Sequence, residues 1–444
     1  MQKQWSLLLF SSIVYALPFV SSIQYWPVVF LFPVPLFFCL LTQRCGFKAG
    51  LLWGSASVGL HLAGVFYSIM HMAQGSLMHK IVPWVGGTLY FGVYIGIWFW
   101  LTTYIISKIK RYIPYIWLAS IWLLFVSFDY GCLSVFNRVE GLFLLNPLLP
   151  LAECVPLLRL MAYITKPGLL LLFFVIPWAG VLGYLTKKWR WYCMSAIGII
   201  VWVGTCFLPA RFTEVPPWLS HIGFITESFY EVSGNQLENA PLLGVAVKER
   251  VTRLLKKQPQ VELIVLPESS LVECPLAECE KALAYWTHEK LGKKVTLVVG
   301  AFRRDHKGLH NALHVIRDGH IVDVFEKRHA MLLTEHIAPW WDFGFLHDLY
   351  FKDWGLLTVS TNERKPLPLL PEQSFVPYIC SELFFNPFPD DTYREPILVV
   401  CNDIWVKAPY IRRLMVLESR LKAVQWQRFI LYVSFFYAAY MTPS

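Results

Sequence analysis

The chain has 444 residues, 56% of them hydrophobic and 16% aromatic, with 16% charged and a net charge of +9. An ordinary soluble domain carries about 25% charged residues, so a wholly water-soluble chain does not fit. The basic excess sits in short loops between apolar runs, with no basic stripe interleaved with exposed aromatics, which argues against a nucleic-acid partner and reads as membrane topology.

The apolar residues concentrate in the first half, and two domains follow: residues 1–211 in the membrane and 212–444 in water. A bilayer-spanning helix needs about 20 apolar residues. Seven runs are candidates: 5–21, 26–42, 49–70, 83–107, 114–136, 167–186 and 191–209. The first begins MQKQ, lacks an A-x-A cleavage site and is followed at once by further runs, so it reads as an uncleaved helix. With Lys3 in the cytoplasm, the loops on its side hold Arg44 and Lys48, then Lys108, Lys110 and Arg111, then Lys187, Lys188 and Arg190. The opposite loops hold none at 22–25, Lys80 alone, and then Arg138, Arg159 and Lys166 across a long stretch. That bias predicts an N-terminus inside a bacterial inner membrane and, after an odd number of spans, a second half in the periplasm. The Pro-broken apolar loop 137–166 is expected in the interface, as a re-entrant wall or as an amphipathic connector. His61, inside the third run, is expected to be hydrogen-bonded within the bundle.

Ten cysteines are present. Cys39, Cys45, Cys132, Cys154, Cys193 and Cys206 lie in or beside apolar runs and read as small buried hydrophobes. Cys274, Cys279, Cys380 and Cys401 lie in the second half. None has zinc spacing, and no metal or cofactor is expected. Cys274 and Cys279 are close enough in sequence to bridge in an oxidising compartment.

After Pro216 and Pro217 the pattern changes to short β-rich runs: HIGFITESF, VELIVLP, VTLVVGAF, ALHVIRDGHIVDVFEK, VPYICSELFF and PILVVCND. Helical stretches lie at 242–257, 276–291 and 408–427, so an α/β domain is predicted. The DG at 318–319, between two alternating runs, marks a hairpin. VELIVLP ends in a proline that cannot continue a ladder, and Glu268 follows it. A carboxylate at the mouth of a buried strand is placed to have its pKa raised and to act as a base. Lys327 follows the second hairpin strand, where its charge can meet a forming oxyanion. Cys380 closes the apolar VPYIC run before a turn, as a nucleophile held at a bend would. Each alone reads more simply as a solvated Glu, a surface Lys and a buried Cys. Together all three end apolar strands, and strands of one sheet present their ends along one edge.

On these residues the chain resembles the carbon–nitrogen hydrolase (nitrilase) superfamily, and within it the membrane branch, the apolipoprotein N-acyltransferases. PESS at 267–270 resembles the strand-end Pro-Glu, FEKRHAMLLTEHIAP at 325–339 the catalytic lysine segment, and ICSELFF at 379–385 the nucleophile segment. Glu335, eight residues beyond Lys327, falls where the family has a second essential glutamate, and Glu382 lies two beyond the cysteine. CNDIW at 401–405 resembles the next strand end, with Asn402 and Trp405 as supporting residues, and LKAVQWQRFILYVS at 421–434 the helix and strand after it. GLLWGSASVGLHLAGVFYSI at 50–69 resembles the third span.

The resemblance implies a multi-span helical membrane domain followed by a four-layer αββα sandwich. It implies an enzyme with the triad Glu268, Lys327 and Cys380, assisted by Glu335. Cys380 would take an acyl group from a membrane phospholipid and pass it, through a thioester, to the N-terminal diacylglyceryl-cysteine of a lipoprotein. The partners are then the lipid bilayer, the phospholipid donor and the lipoprotein acceptor, met by a monomer. Four features differ from the family pattern: Ser381 stands where a Tyr is usual, Trp405-Val406-Lys407 replaces Trp-Phe-Gly, HIGFITESF lacks a Gln, and Phe435 replaces an Asn. A C-terminally shortened catalytic domain is also expected. This pattern resembles, as an alternative, the nitrilase-like proteins of conjugal transfer.

Overall fold

The computed structural model describes residues 2–20, 26–42, 46–72, 77–108, 146–208, 214–227, 240–270, 295–306, 308–318, 320–329, 335, 357–360, 362–385 and 393–443. The run at 114–136, the helical stretch 276–291 and the pair Cys274 and Cys279 lie outside these residues. In chain order the helices are α1 (Gln2–Val20), α2 (Pro33–Leu41), α3 (Phe47–Met72), α4 (Leu77–Lys108), α5 (Met161–Thr186), α6 (Trp189–Thr205), α7 (Ala240–Lys257), α8 (Glu382–Phe385) and α9 (Pro409–Trp426). The strands are β1 (Ile222–Phe224), β2 (Leu263–Val265), β3 (Thr296–Asp305), β4 (Gly308–Arg317), β5 (His320–Glu326), β6 (Leu367–Leu370), β7 (Gln373–Ile379), β8 (Ile397–Val400), β9 (Ile430–Val433) and β10 (Ala438–Met441). The chain forms two compact units. One comprises Met1–Arg211, Trp405–Gln427 and Ser444, the other Phe212–Ile404 and Arg428–Pro443.

The first unit is helical. Among the described residues two segments, Trp84–Tyr104 and Met161–Thr186, are long and apolar enough to cross a membrane, and two shorter apolar helical segments span Trp5–Val20 and Trp26–Leu41. The run at 26–42 is not one helix: a 3-10 turn over Trp26–Phe30 precedes α2, whose first turn carries Pro33, where the missing N–H has no partner to lose. Small residues set the α3–α4 contact. A Cβ on Gly50 would lie 2.7 Å from Ile95 O, one on Gly54 2.9 Å from Ile95 Cβ, and one on Gly96 3.0 Å from Phe47 O. The Gly-x3-Gly spacing on both helices therefore lets the backbones approach, as helices do where burial of apolar surface alone gives no drive. Helix α5 kinks at Thr165 (φ 63°), two residues before Pro167, which has no N–H to continue the ladder.

The described part of the 137–166 loop begins at Asn146. It winds into two 3-10 turns, Leu149–Glu153 and Val155–Leu158, with Leu148, Leu149, Leu151, Ala152 and Leu158 fully buried. Prolines at the start of each turn and the apolar run explain it: the segment fills core volume without needing a helical ladder. His61 is fully buried, but among the described residues neither ring nitrogen has a hydrogen-bond partner; its ring packs edge-on against Phe19 at 4.2 Å. Aromatic packing has replaced the expected polar contact.

Helix α9 clusters with this unit, burying Ile411, Leu414, Leu417, Leu421 and Val424 in its apolar cluster. Side chains of that size contribute about 1.5–3 kcal/mol each when removed from water. Tyr410 accepts from Gly64 N at 2.6 Å and donates to His61 O at 2.9 Å, and Arg413 Nε donates to Glu153 at 2.6 Å.

The second unit holds two five-stranded mixed sheets, in the orders β1-β2-β3-β4-β5 and β10-β9-β8-β7-β6. In each, three parallel strands form one run, β1 to β3 and β7 to β9, and the rest pair antiparallel. The parallel strands β2, β8 and β9 are buried throughout; β2 and β8 are unbroken aliphatic runs and β9 adds one aromatic, Tyr432. Asp318 (φ 48°) takes the left-handed conformation in the β4–β5 hairpin, as DG demands. One face of the first sheet carries Ile264, Leu266, Val299, Ala301 and Ile316, which α7 covers with Val247 and Val251. The tail 429–441, unpromising as a span, forms β9 and β10 instead.

Candidate active site

Glu268 is placed by the end of β2. The ladder stops at Pro267, Ser269 turns with φ 52°, and Ser270 Oγ donates to Pro267 O at 2.5 Å. Beside this turn runs β3 at Gly300. A Cβ there would lie 2.6 Å from Glu268 Cα, Pro267 O and Ser269 N, so only glycine lets the two backbones approach this closely. The Glu268 side chain is 3% exposed overall and fully partnered. Its Oε1 accepts from Asn311 Nδ2 at 2.6 Å and Lys327 Nζ at 3.4 Å, and its Oε2 accepts from the backbone N–H of Asn402 at 2.7 Å.

Lys327 extends the β4–β5 ladder by donating its N–H to Asn311 O at 2.8 Å, which aims its side chain inward. Its ammonium donates to Glu335 at 2.8 Å. Asn311 Nδ2 also reaches Glu335 Oε1, at 3.2 Å. One ammonium and one amide thus hold two carboxylates together, the arrangement needed to keep like charges adjacent.

Cys380 follows β7 with φ 49°, a left-handed conformation that costs a residue with a Cβ about 1–2 kcal/mol. Its N–H continues the ladder to Val400 O at 2.8 Å. The bend is held by Glu382, fully buried in the first turn of α8. One Glu382 oxygen accepts from Ile379 N at 2.7 Å; the other accepts from Arg328 N at 2.7 Å and Arg364 Nη2 at 3.0 Å. The Arg364 guanidinium is buried and stacks on the Tyr378 ring at 3.8 Å. Glu382 therefore ties the nucleophile strand to the lysine segment.

The electrostatics assign roles. Burial raises the Glu268 carboxyl above its ordinary range, against the pull of Lys327, and Glu335 adds to the rise. Burial works to lower Lys327, but Glu335, Glu268 and Cys380 outweigh it and hold the ammonium well above the usual range. The Cys380 thiol is pushed well up, first by its contact with the Cys401 thiol, then by burial and Glu268; Lys327 opposes this. The Cys380 thiol is thus neutral at rest, near a carboxyl whose raised proton affinity suits it to take a proton and an ammonium that keeps its charge. This set can drive addition of a thiol to a carbonyl carbon and stabilise the resulting oxyanion.

Of the residues expected from sequence, Glu268, Lys327, Cys380, Glu335, Glu382 and Asn402 gather here. Asn402 contributes through its backbone, while its side-chain oxygen accepts from Ile404 N at 3.2 Å. Trp405 is not gathered with them: it packs on the apolar cluster of the first unit. Asp403 accepts from Ser434 Oγ at 2.7 Å and from Phe435 N at 3.1 Å, so it anchors the β9–β10 turn. Sequence reading missed Asn311, Arg364 and Cys401. Asn311, in a β4 run that also carries His310 and His314, and Arg364, in a polar loop, left no signal that singled them out. Ser381 Oγ, next in sequence to Cys380, is buried without a hydrogen-bond partner among the described residues.

No family model matches the chain, and no curated protein matches it. Among solved structures, a carbon–nitrogen hydrolase from Helicobacter pylori aligns with 48% of this chain and 73% of its own, at 14% identity and a TM-score of 0.33. A Saccharomyces cerevisiae member of branch 10 of the nitrilase superfamily aligns over 47% and 72%, at 16% identity and 0.32. A glutamine-dependent NAD+ synthetase from Acinetobacter baumannii aligns over 44% of this chain and 35% of its own, at 17% identity and 0.32. These are likenesses of partial extent, and the chemistry of the site is set by its own side chains.

Proposed function

We propose that the chain is a membrane-anchored acyltransferase of carbon–nitrogen hydrolase type, working through a thioester on Cys380. The observation that carries this reading is the buried cluster in which Lys327 stands 3.4 Å from Glu268 and 2.8 Å from Glu335 beside the Cys380 thiol. The thiol sulfur adds to the carbonyl carbon of a phospholipid sn-1 ester as its proton passes to Glu268. Lys327 stabilises the oxyanion. Collapse expels the glycerol oxygen, which takes the proton back from Glu268, and leaves the acyl group on sulfur. The α-amine of a lipoprotein's diacylglyceryl-cysteine then adds to the thioester, loses its proton to Glu268 and frees Cys380. Two apolar helices of membrane-spanning length and the basic inter-helix loops support a bacterial inner-membrane location with the second unit in the periplasm. Anchoring would hold the site near two lipid-borne substrates and raise their effective concentration.

The test is to incubate the full chain with an sn-1 palmitoyl phospholipid and look for a hydroxylamine-sensitive palmitoyl adduct on Cys380 by peptide mass spectrometry. The adduct is expected in the native protein and lost in Cys380→Ser. Added diacylglyceryl-cysteine peptide should discharge it as an amide. A native protein that never acquires the adduct would refute the proposal.

A further inference from the structure

A second thiol stands against the candidate nucleophile, and the acyl-transfer steps leave it unused. Strands β7 and β8 are parallel with Ile379 opposite Val400, so Cys380 and Cys401 are the next residues on neighbouring strands. Cys380 N donates to Val400 O and Cys401 N to Val433 O, both at 2.8 Å, which fixes the two backbones in register. Adjacent strands run about 4.8 Å apart. That separation lies inside the Cα window of about 4.4–6.8 Å that a disulfide spans. The register sets the two side chains next to one another, and the Cys401 thiol is the first of the groups that push Cys380 up. Both are free thiols. Cys401 is fully buried, whereas Cys380 keeps 5% of its surface open. Of these two, Cys380 is therefore the one that can meet a dissolved oxidant, and Cys401 is in place to follow.

We infer that Cys401 is a resolving thiol, and that Cys380 and Cys401 form a reversible disulfide on exposure to a peroxide. In the first step the Cys380 sulfur attacks one peroxide oxygen. The O–O bond breaks, hydroxide or water leaves, and Cys380 becomes a sulfenic acid. In the second step the Cys401 sulfur attacks the Cys380 sulfur, its proton joins the departing hydroxyl, and water is released. Two thiols and one hydrogen peroxide thus give one disulfide and two waters, with the peroxide as oxidant. The bond removes the nucleophile but keeps it from the irreversible sulfinic state. A thiol reductant reverses it by exchange. This assigns regulation of the same site and, as a statement about function, rests on the acyltransferase reading; the disulfide chemistry itself needs only the two thiols.

The experiment treats the full chain in detergent with a small excess of hydrogen peroxide, followed by alkylation, intact mass and peptide mapping. Native protein is expected to lose about 2 Da, with a Cys380–Cys401 linked peptide that dithiothreitol removes. Cys401→Ser and Cys401→Ala should instead gain about 32 Da on Cys380, and reductant should not reverse it. Cys401→Ala guards against a folding defect peculiar to the serine. If native protein goes to the sulfinic adduct as readily as the two variants, or if Cys380 is linked to another cysteine, the inference is overturned. A parallel thioester assay separates the two readings. A linked peptide in a protein that never forms a thioester sinks the acyltransferase alone; a thioester without the linkage sinks the resolving thiol alone.

Discussion

Replacing Glu382 by Gln removes one buried charge and changes little in shape. In the native chain that carboxylate has three donors, Ile379 N, Arg328 N and Arg364 Nη2, at 2.7, 2.7 and 3.0 Å. The amide keeps one acceptor oxygen, so at least one donor loses its partner. The larger loss is electrostatic: Arg364, with 2% of its side chain exposed, is left as a buried cation facing the rings of Tyr378 at 3.8 Å and Phe325 at 5.7 Å. Breaking one side of a buried pair costs about 3–5 kcal/mol. The remaining acceptor and the ring face, about 2 kcal/mol for a desolvated cation–π contact, place the expected loss near the lower end. A loss of about 3 kcal/mol would lower the melting temperature by roughly 6–12 °C for a unit of this size. Thioester formation on Cys380 should slow by about 10²-fold, because the bend at φ 49° loses its tie to Ile379 N. The double variant Glu382→Gln, Arg364→Met removes the orphaned cation. It should recover most of the stability and little of the rate. Thermal unfolding in detergent and the thioester assay read both quantities on one preparation. A single variant that loses under about 1 kcal/mol, or a double variant no more stable than the single, would refute the charge argument.

Three further outcomes follow from the same geometry. Asn311 lowers the Glu268 carboxyl by its hydrogen bond, so Asn311→Leu should raise it further and move the acidic limb of the thioester-rate profile to higher pH; an unmoved limb would dissociate Asn311 from the base. Gly300→Ala puts a methyl 2.6 Å from three backbone atoms around Glu268, and overpacking of this kind costs about 1–3 kcal/mol, measurable as a lower melting temperature with slower acylation. His314, 1% exposed, is held down to about 4, first by burial and then by Arg303, so the fold favours its neutral form. Its contribution is complete above the ordinary value of 6.5 and is lost as pH falls toward about 4. Stability should drop by about 2 kcal/mol from this group between pH 7 and pH 5, and His314→Leu should flatten that slope in denaturation curves at the two pH values.

The apolar-to-polar change near residue 211, the α/β alternation after it and the strand ends at Pro267, Glu326 and Ile379 were legible in the sequence. Each depends on local period and on turn chemistry, which a single strand or helix expresses by itself. The hairpin at Asp318 was readable for the same reason. What only the tertiary structure decided is which distant residues meet. Asn311 reaches across 43 positions to Glu268 because β4 lies two strands from β2 in the same sheet, and the Asn402 backbone reaches across 134 because the ends of β2 and β8, from two sheets, come together. Cys401 had no role in the sequence reading, and only the register of β7 and β8 sets it beside Cys380. Helix α9 carries an amphipathic pattern that calls for an apolar partner but does not name one, and the structure clusters it with the first unit. Periodicity encodes which face a segment must bury; packing alone selects what it is buried against.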